Sequence, residues 1–380
     1  MKPLEGLLVL EFCQFLAGPS AGLKLADMGA RVIKIERPIK GEACRQLSIK
    51  DIFVDESSLL FHTINRNKES FAADLKNPED LASVIKLIAK ADIITHNFRP
   101  GVMEKIGLTF HDVLAINPKI IYGVVTGYGI EGPWAHKPGQ DLLIQSLSGL
   151  TWLSGRKSDG PVPFGLAVAD LMCGNHLVQG ILAALLKRSK SNRGVLVEVS
   201  LLESILDVQF EAITSFLNDG GQLPVRGNVK GSAHAFLGAP YGIYQTQDGF
   251  ISLAMGDLLL IGNLLEIDLT NYADKSKWFS ARDEIRDLIN VKLQENSTAN
   301  WLEILRDQGV WCEKILNYKD LNEESFIQDL HLKQSIVHKN GREIMTTRNP
   351  IRFDGEILSN AKAAPAVGEH NKFIQAQFLD

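Results

Sequence analysis

Over roughly the first 130 residues, short β-branched apolar runs alternate with amphipathic helical stretches at the spacing of βαβ units, a rhythm that leaves a chain few ways to fold. The runs Leu7–Phe12, Arg31–Glu36, Ser70–Leu75, Asp92–Asn97 and Ile120–Thr126 are expected as strands. Helices are expected at Ala21–Met28, Pro78–Lys90, Val102–Ile106 and His111–Ile116, with Cys13–Ser20 as the first loop. Strands this rich in Val, Ile and Leu are buried on both faces, as parallel strands are. The expected class is α/β, with a doubly wound parallel sheet.

Further along, helical patterns over Gln140–Leu150 and Leu171–Lys190 flank the Gly/Pro-rich loop Ser154–Pro163, and a strand at Val195–Ser200 leads into a long helix, Leu201–Leu217. The Gly- and Pro-rich stretch Asn218–Asn228 marks a boundary. Beyond it a strand pair, Tyr241–Gln245 and Phe250–Ala254, turns through Thr246–Gly249 and precedes helical segments with a charge run, Lys275–Arg286. These features predict a large domain over 1–220 with a returning tail, 336–380, and a smaller α+β domain over 221–335. A chain of 380 residues, 45% of them hydrophobic, can bury both cores. With 40 Lys+Arg against 45 Asp+Glu and a formal net charge of −5, it lacks the basic surplus of a nucleic-acid or anionic-membrane binder. Apolar stretches such as Gly180–Leu186 fall short of the ~20 residues that cross a bilayer. The start, Met1-Lys2-Pro3-Leu4-Glu5, has no signal-peptide pattern. Four scattered cysteines, Cys13, Cys44, Cys173 and Cys312, form no C-x-x-C pair, so reduced thiols in a bacterial-type cytosol or an organelle matrix are expected, without a metal site, and the cytoplasm is the leading location.

The turn Ala17-Gly18-Pro19-Ser20-Ala21-Gly22, with Glu36 ending the next strand, invites a dinucleotide-binding reading. That fingerprint needs G-x-G-x-x-G, and Pro19 stands where the motif tolerates it poorly. A tight turn that packs a helix on the sheet is the favoured reading, with helix amides still free to face an anion. Basic residues gather near strand ends: Lys34, Arg37, Arg66, Lys68, Lys76, Arg99 and Lys105. Ligands of doubly wound sheets bind at the carboxyl ends of strands, so Arg37, Lys76 and Arg99 could converge on a polyphosphate; each taken singly could equally be solvated surface charge. Asp170, at the start of an apolar helix expected from about residue 171, would be kept ionised by backbone N–H groups and the helix dipole, as a nucleophile requires. Gly174, one turn on, would leave room for a reacting group; the plainer alternative for Asp170 is an N-cap. His176 falls on another face of that helix. No G-x-S-x-G, H-E-x-x-H or P-loop is present.

Leu4–Glu11, Ala17-Gly18-Pro19, Asp27–Pro38, Asn97-Phe98-Arg99-Pro100-Gly101, Asp141–Gly149, Ala169-Asp170, Arg226-Gly227-Asn228 and Gly368-Glu369-His370, in that order and spacing, resemble the family III CoA-transferases. That group includes formyl-CoA transferase, carnitine CoA-transferase and α-methylacyl-CoA racemase. The resemblance implies a Rossmann-like large domain, a small domain and a homodimer of interlocked rings. It implies no permanently bound cofactor, with coenzyme A or acyl-CoA as substrate. The positions it matches to coenzyme A are Leu16 and Ala17, Arg37, Ala73, Asp74, Leu75 and Lys76, Asn97, Phe98 and Arg99, Lys105, and Pro138, Gly139, Gln140 and Asp141. Asp170 matches the catalytic carboxylate, which attacks a thioester to give an acyl-aspartyl anhydride. Gly227, Asn228, Gly231 and Ser232 match a substrate loop.

Two departures narrow the reading. The racemases carry a histidine where this chain has Gln140, which is no base near neutral pH, so racemisation is disfavoured. Formyl-CoA transferases carry a glycine-rich flap where Val229–His234 has one glycine, which disfavours oxalate or formate. The leading expectation is a CoA-transferase acting between an acyl-CoA and a small carboxylic acid. An acyl-CoA racemase, a non-catalytic CoA-binding protein and, last, a nicotinamide oxidoreductase are the alternatives.

Overall fold

The computed structural model describes residues 2–379, which divide into two compact units. The first comprises residues 2–144, 167–208 and 330–379, the second Gln145–Leu166 and Gln209–Asp329. Segment 145–166, expected in the large domain, thus groups with the second unit, and the tail joins the first from Leu330.

Six strands form the sheet of the first unit: β1 (Leu8–Glu11), β2 (Arg31–Glu36), β3 (Glu69–Ala72), β4 (Ile93–His96), β5 (Ile121–Thr126) and β6 (Val195–Ser200). Their order is 3-2-1-4-5-6 and every pairing is parallel, with Leu8 opposite Arg31, Val9 opposite Ile93 and Ile121 opposite Val195. Period-2 alternation separates two faces. Leu8, Leu10, Phe12, Ile33, Ile35, Ile94, Tyr122 and Val124 form one core with Leu87 and Ile88 of α3 (Pro78–Ile88), Val113 of a helix at Phe110–Ile116, and Ile374 of the C-terminal helix. On the opposite face Gly123 lets Leu177 and Ile181 of a long helix, Val168–Ser191, approach the sheet.

That helix, α7 by position after α1 (Ala17–Asp27), α2 (Leu59–Asn65), α3, α4 (Val102–Lys105), α5 (Phe110–Ile116) and α6 (Asp141–Leu147), is 24 residues long and apolar enough to match a membrane span by length and composition. Its buried side, including Cys173, Leu177 and Ile181, packs instead on α1, β5 and β6. The exposed edge of β3 is closed by the tail: Asn371 accepts from the Ala72 N–H (2.8 Å) and donates to the Ala72 carbonyl (3.0 Å), doing the work of a neighbouring strand.

Three element boundaries differ from expectation for physical reasons. Helix α1 starts at Ala17, inside the expected loop, because the first helical N–H groups need no intrahelical partner and Pro19 is tolerated there. Helix α7 starts at Val168 because the carboxylate of Asp141 accepts its first amides. The expected helix Leu201–Leu217 is two, Leu201–Val208 and Phe210–Asn218, breaking at Gln209 where the two units divide. The second unit holds an antiparallel sheet of Gly242–Gln245, Phe250–Leu253 and Cys312–Lys314 under a core that includes Tyr244, Ile251, Ile285, Ile289 and Leu305.

Candidate active site

Because all six strands are parallel, their carboxyl ends share one edge, and in the order 3-2-1-4-5-6 the direction of winding reverses between β1 and β4. Ligands of such sheets sit in the crevice at that reversal. Asn97, just past β4, fastens the two sides together: its Oδ1 accepts from the Gln14 N–H (2.8 Å) and its Nδ2 donates to the Gln14 carbonyl (2.7 Å). Leu16 is the N-cap of α1 and offers no side-chain acceptor, so the first amides of that helix face the edge uncapped. Past β5, Gly127 and Gly139 cross so closely that a Cβ on Gly139 would lie 2.5 Å from the Gly127 Cα. Only glycine permits that approach, and it pins Pro138–Asp141 over the same edge.

The cations expected here separate into two groups. Arg37, Lys76, Arg99 and Lys105 are exposed around the edge and form no ion pair among the described residues. Lys34 and Lys68, counted with them in the sequence, are 0% exposed. Both are bound to Glu11 of β1, Lys34 at 3.0 Å and Lys68 at 2.9 Å, and Arg66 grips Asp27 through its two terminal guanidinium nitrogens. The alternation of β1 and β2 points Glu11 and Lys34 beneath α1, where Gly22 leaves room for the Glu11 carboxylate. Those three cations are structural and cannot reach a ligand. Glu36, the acid of the dinucleotide reading, is likewise engaged: burial works to raise its pKa, but Arg45, held at 3.0 and 2.6 Å, and Ser70 keep it below the ordinary carboxylate range.

Of the other matched positions, Ala73 is buried in the core with Leu75 packed beside it, and Asp74 accepts the Lys76 N–H (3.0 Å), shaping the turn that presents Lys76. Phe98 leans on the His96 ring, with 6.1 Å between centroids. These residues shape the edge more than they offer groups to it.

Asp170 lies inside the first turn of α7 and does not cap it. Asp141, at the start of α6, takes that place: its Oδ1 accepts the Ala169 N–H at 2.8 Å and the Asp170 N–H at 3.2 Å. The Asp170 carboxylate is left desolvated beside a like charge. Burial first, and the Asp141 carboxylate second, push its pKa from 3.8 up to about 7. The helix dipole, ~0.3–1 kcal/mol in favour of the ionised form, is outweighed, so the expectation of a firmly ionised Asp is corrected. The space left by Gly174 is filled too, since a Cβ there would lie 2.4 Å from the Ser20 Oγ and 2.7 Å from the Ala17 carbonyl. Gly174 therefore seats α7 against the first turn of α1 and makes no room for substrate. His176 pairs with Asp207 at 3.2 Å, and Gln140 is exposed.

The expected substrate loop belongs to the second unit. The Gly227 carbonyl accepts the Lys157 N–H (3.0 Å), Asn228 donates through its N–H and Nδ2 to Asp283 (3.0 and 3.1 Å), Gly231 holds φ of 93°, and Ser232 bridges Gly242. Arg286 donates to the Lys230 carbonyl at 3.1 Å. Asp283 and Arg286, one turn apart on the helix Arg282–Leu293, clamp this loop, yet in the sequence they lie in a charge run that reads as solvated. Glu11 and Glu42, which brace the first turn from below, and Arg45, which holds Glu36, carry no sequence signal beyond being charges in or just past apolar strands.

The family model described as CoA-transferase family III matches residues 4–371. Among curated proteins, the succinyl-CoA:glutarate CoA-transferase of Mus musculus is 32% identical, covering 100% of this chain and 87% of its own. The succinate–glutarate CoA-transferase of Agrobacterium fabrum is 32% identical over 99% and 95%. A crystal structure of a CAIB/BAIF family protein from Brucella suis has a TM-score of 0.85 at 30% identity, covering 99% of both chains.

Proposed function

The chain belongs to CoA-transferase family III and is an enzyme of that class, and on that premise we propose that it transfers CoA from an acyl-CoA to a small carboxylic acid through covalent intermediates on Asp170. The carboxylate attacks the thioester carbonyl, the C–S bond breaks, and an acyl-aspartyl anhydride and CoA thiolate result. The thiolate then attacks the aspartyl carbonyl and releases the donor acid as a carboxylate. The acceptor carboxylate attacks the aspartyl thioester, and the freed thiolate takes the acceptor's acyl group while Asp170 is regenerated. Each step exchanges one carboxylate or thiolate for another, so no proton need be moved. A site with Gln140 in place of a base suits that chemistry.

The observation that carries the reading is the desolvated Asp170 beside Asp141, a poorly solvated and hence more nucleophilic carboxylate whose backbone is held in place. Arg37, Lys76, Arg99 and Lys105 would meet the phosphates of CoA, with the amides of α1 behind them. The glutarate named for two relatives makes short dicarboxylic acids the first acceptors to try, with succinyl-CoA as donor. We take the working form to be a cytoplasmic homodimer, which would cover exposed apolar side chains such as Leu186, Leu217 and Trp311.

Hydroxylamine supplied with a competent donor tests the intermediate. Trapping should add about 15 Da to the enzyme, as NHOH replaces OH on an acylated carboxylate, and peptide mapping should place it on Asp170. Turnover without a trapped hydroxamate, and full activity of Asp170→Ala, would sink the mechanism.

A further inference from the structure

Phe15 is the residue before the N-cap of α1, at the reversal of the sheet, and its φ is 63°. Left-handed backbone is strained for an aromatic residue and persists only where the surroundings impose it. The Phe15 ring does not impose it, since the residue is 47% exposed. What holds it is Glu42, 3% exposed, whose Oε2 accepts the Phe15 N–H at 3.0 Å and the Cys44 N–H at 3.0 Å. The other carboxylate oxygen of Glu42 faces the Lys34 ammonium at 3.3 Å, and Lys34 is fixed in turn by Glu11 and the Cys13 carbonyl. The backbone N–H of Glu42 donates to Glu36 at 3.1 Å. Glu42 therefore reaches from the loop after β2 to the turn after β1 and is itself anchored from both sides.

We propose that Glu42 is a positioning residue for thioester binding: its buried carboxylate locks Phe15 in the left-handed conformation and so fixes the first turn of α1 against which CoA docks. The proposal rests on the reading that CoA binds at that turn. Without the Glu42 acceptor, Phe15 relaxes toward ordinary backbone, the competent turn becomes a minor population, and apparent affinity falls by that fraction. Chemistry is affected less, because Asp170 is held separately by Asp141.

The test uses the full-length enzyme with CoA itself as the probe, measured by calorimetry, alongside kcat with succinyl-CoA and glutarate and the melting temperature. Glu42→Ala should raise the Kd for CoA about tenfold while kcat changes less than about threefold. Glycine adopts positive φ without strain, so Phe15→Gly in the Glu42→Ala background should return the Kd to within about threefold of the Phe15→Gly single variant. Should Glu42→Ala fail to fold, Glu42→Gln, which keeps an acceptor oxygen for the Phe15 N–H, should bind CoA within about threefold of the parent. An unchanged Kd in Glu42→Ala, no recovery with Phe15→Gly, or a tenfold loss in Glu42→Gln overturns the role of Glu42. Arg37→Gln separates the two readings: an unchanged Kd there overturns the placement of CoA, whereas a weakened one upholds that placement, and the Glu42 and Phe15 variants then decide the role of Glu42.

Discussion

Lys34 and Lys68 beneath the first turn, and Arg37 and Lys76 at its rim, carry the same charge within a few residues of the same strand ends, yet the first pair is buried against Glu11 and the second is exposed and unpaired among the described residues. The carboxylates divide in the same way. Glu11, Glu36 and Asp27 each grip a buried cation, whereas Asp170 is desolvated beside the like charge of Asp141 and forms no ion pair among the described residues. Buried charges that are paired support the fold, and losing one partner strands the other. Charges without partners are available to a ligand or a reaction. Glu42, whose carboxylate also holds the turn at the rim, belongs to both layers; the rest of the inner layer should fail by unfolding and the rim by losing function.

The largest effect belongs to the rim. Asp170→Asn, nearly isosteric, should lower transfer by at least about 10³-fold, because the covalent step loses its nucleophile. The melting temperature should not fall. Activity within tenfold of the parent would erase the division between rim and inner layer. Next comes the inner layer: Glu11→Gln leaves Lys68 without its anion and Lys34 with Glu42 alone, at a cost of ~3–5 kcal/mol. Denaturant unfolding should register that loss, while transfer per folded molecule is largely retained. A wild-type unfolding midpoint would show that Glu11 does not carry the layer.

The strands were legible because short, near-continuous runs rich in Val, Ile and Leu mark strands buried on both faces, and Arg31–Glu36 and Val195–Ser200 fall on their expected bounds. Asp170 stood out because few carboxylates open so apolar a helix. What sequence could not resolve was the partner of each charge. Lys34 and Arg37 are three residues apart, and only the pleat, which turns Lys34 under α1, and the strand end, which frees Arg37, tell them apart. Asp141 and Asp170 lie far apart in sequence, so neither the cap that Asp141 supplies nor the pKa it helps raise had a local signature. Asp283 and Arg286 were hidden for a related reason, since a charge run reads as solvated until the loop it clamps is known.

A third prediction contrasts the layers through pH. With a pKa of 3.8 unfolded and about 7 folded, Asp170 holds its proton longer in the native state. Its favourable contribution is complete below the unfolded value and is lost as pH rises through the folded one. Asp170→Asn has no such loss. Relative to the parent, the variant should therefore gain about 1–3 kcal/mol of stability between pH 4 and pH 8. The same titration bears on catalysis, since only the ionised carboxylate attacks, so kcat/KM in the parent should climb with pH through about 7. Parallel stability curves for parent and variant would mean that Asp170 is solvated after all.

The smallest effects should come from the rim cations one at a time. Arg37, Lys76 and Arg99 are exposed, so a contact from any of them to a phosphate is partly screened and worth about 1–1.5 kcal/mol, or roughly five- to tenfold in Kd. Arg37→Gln, Lys76→Gln and Arg99→Gln should each weaken CoA by that factor, leave the unfolding midpoint unchanged, and flatten the dependence of affinity on salt. Dephospho-CoA resolves them further. A cation that meets the 3′-phosphate loses its effect with that ligand, whereas one that meets the pyrophosphate keeps it. NAD should bind to none of these proteins, since Glu36 is held by Arg45 and Ser70 and cannot turn to a ribose. The contrast with the inner layer is sharpest in a matched pair: Lys76→Gln should cost affinity without stability, and Lys68→Gln stability before affinity. If both lose the two together, burial does not separate scaffold from site at this edge of the sheet.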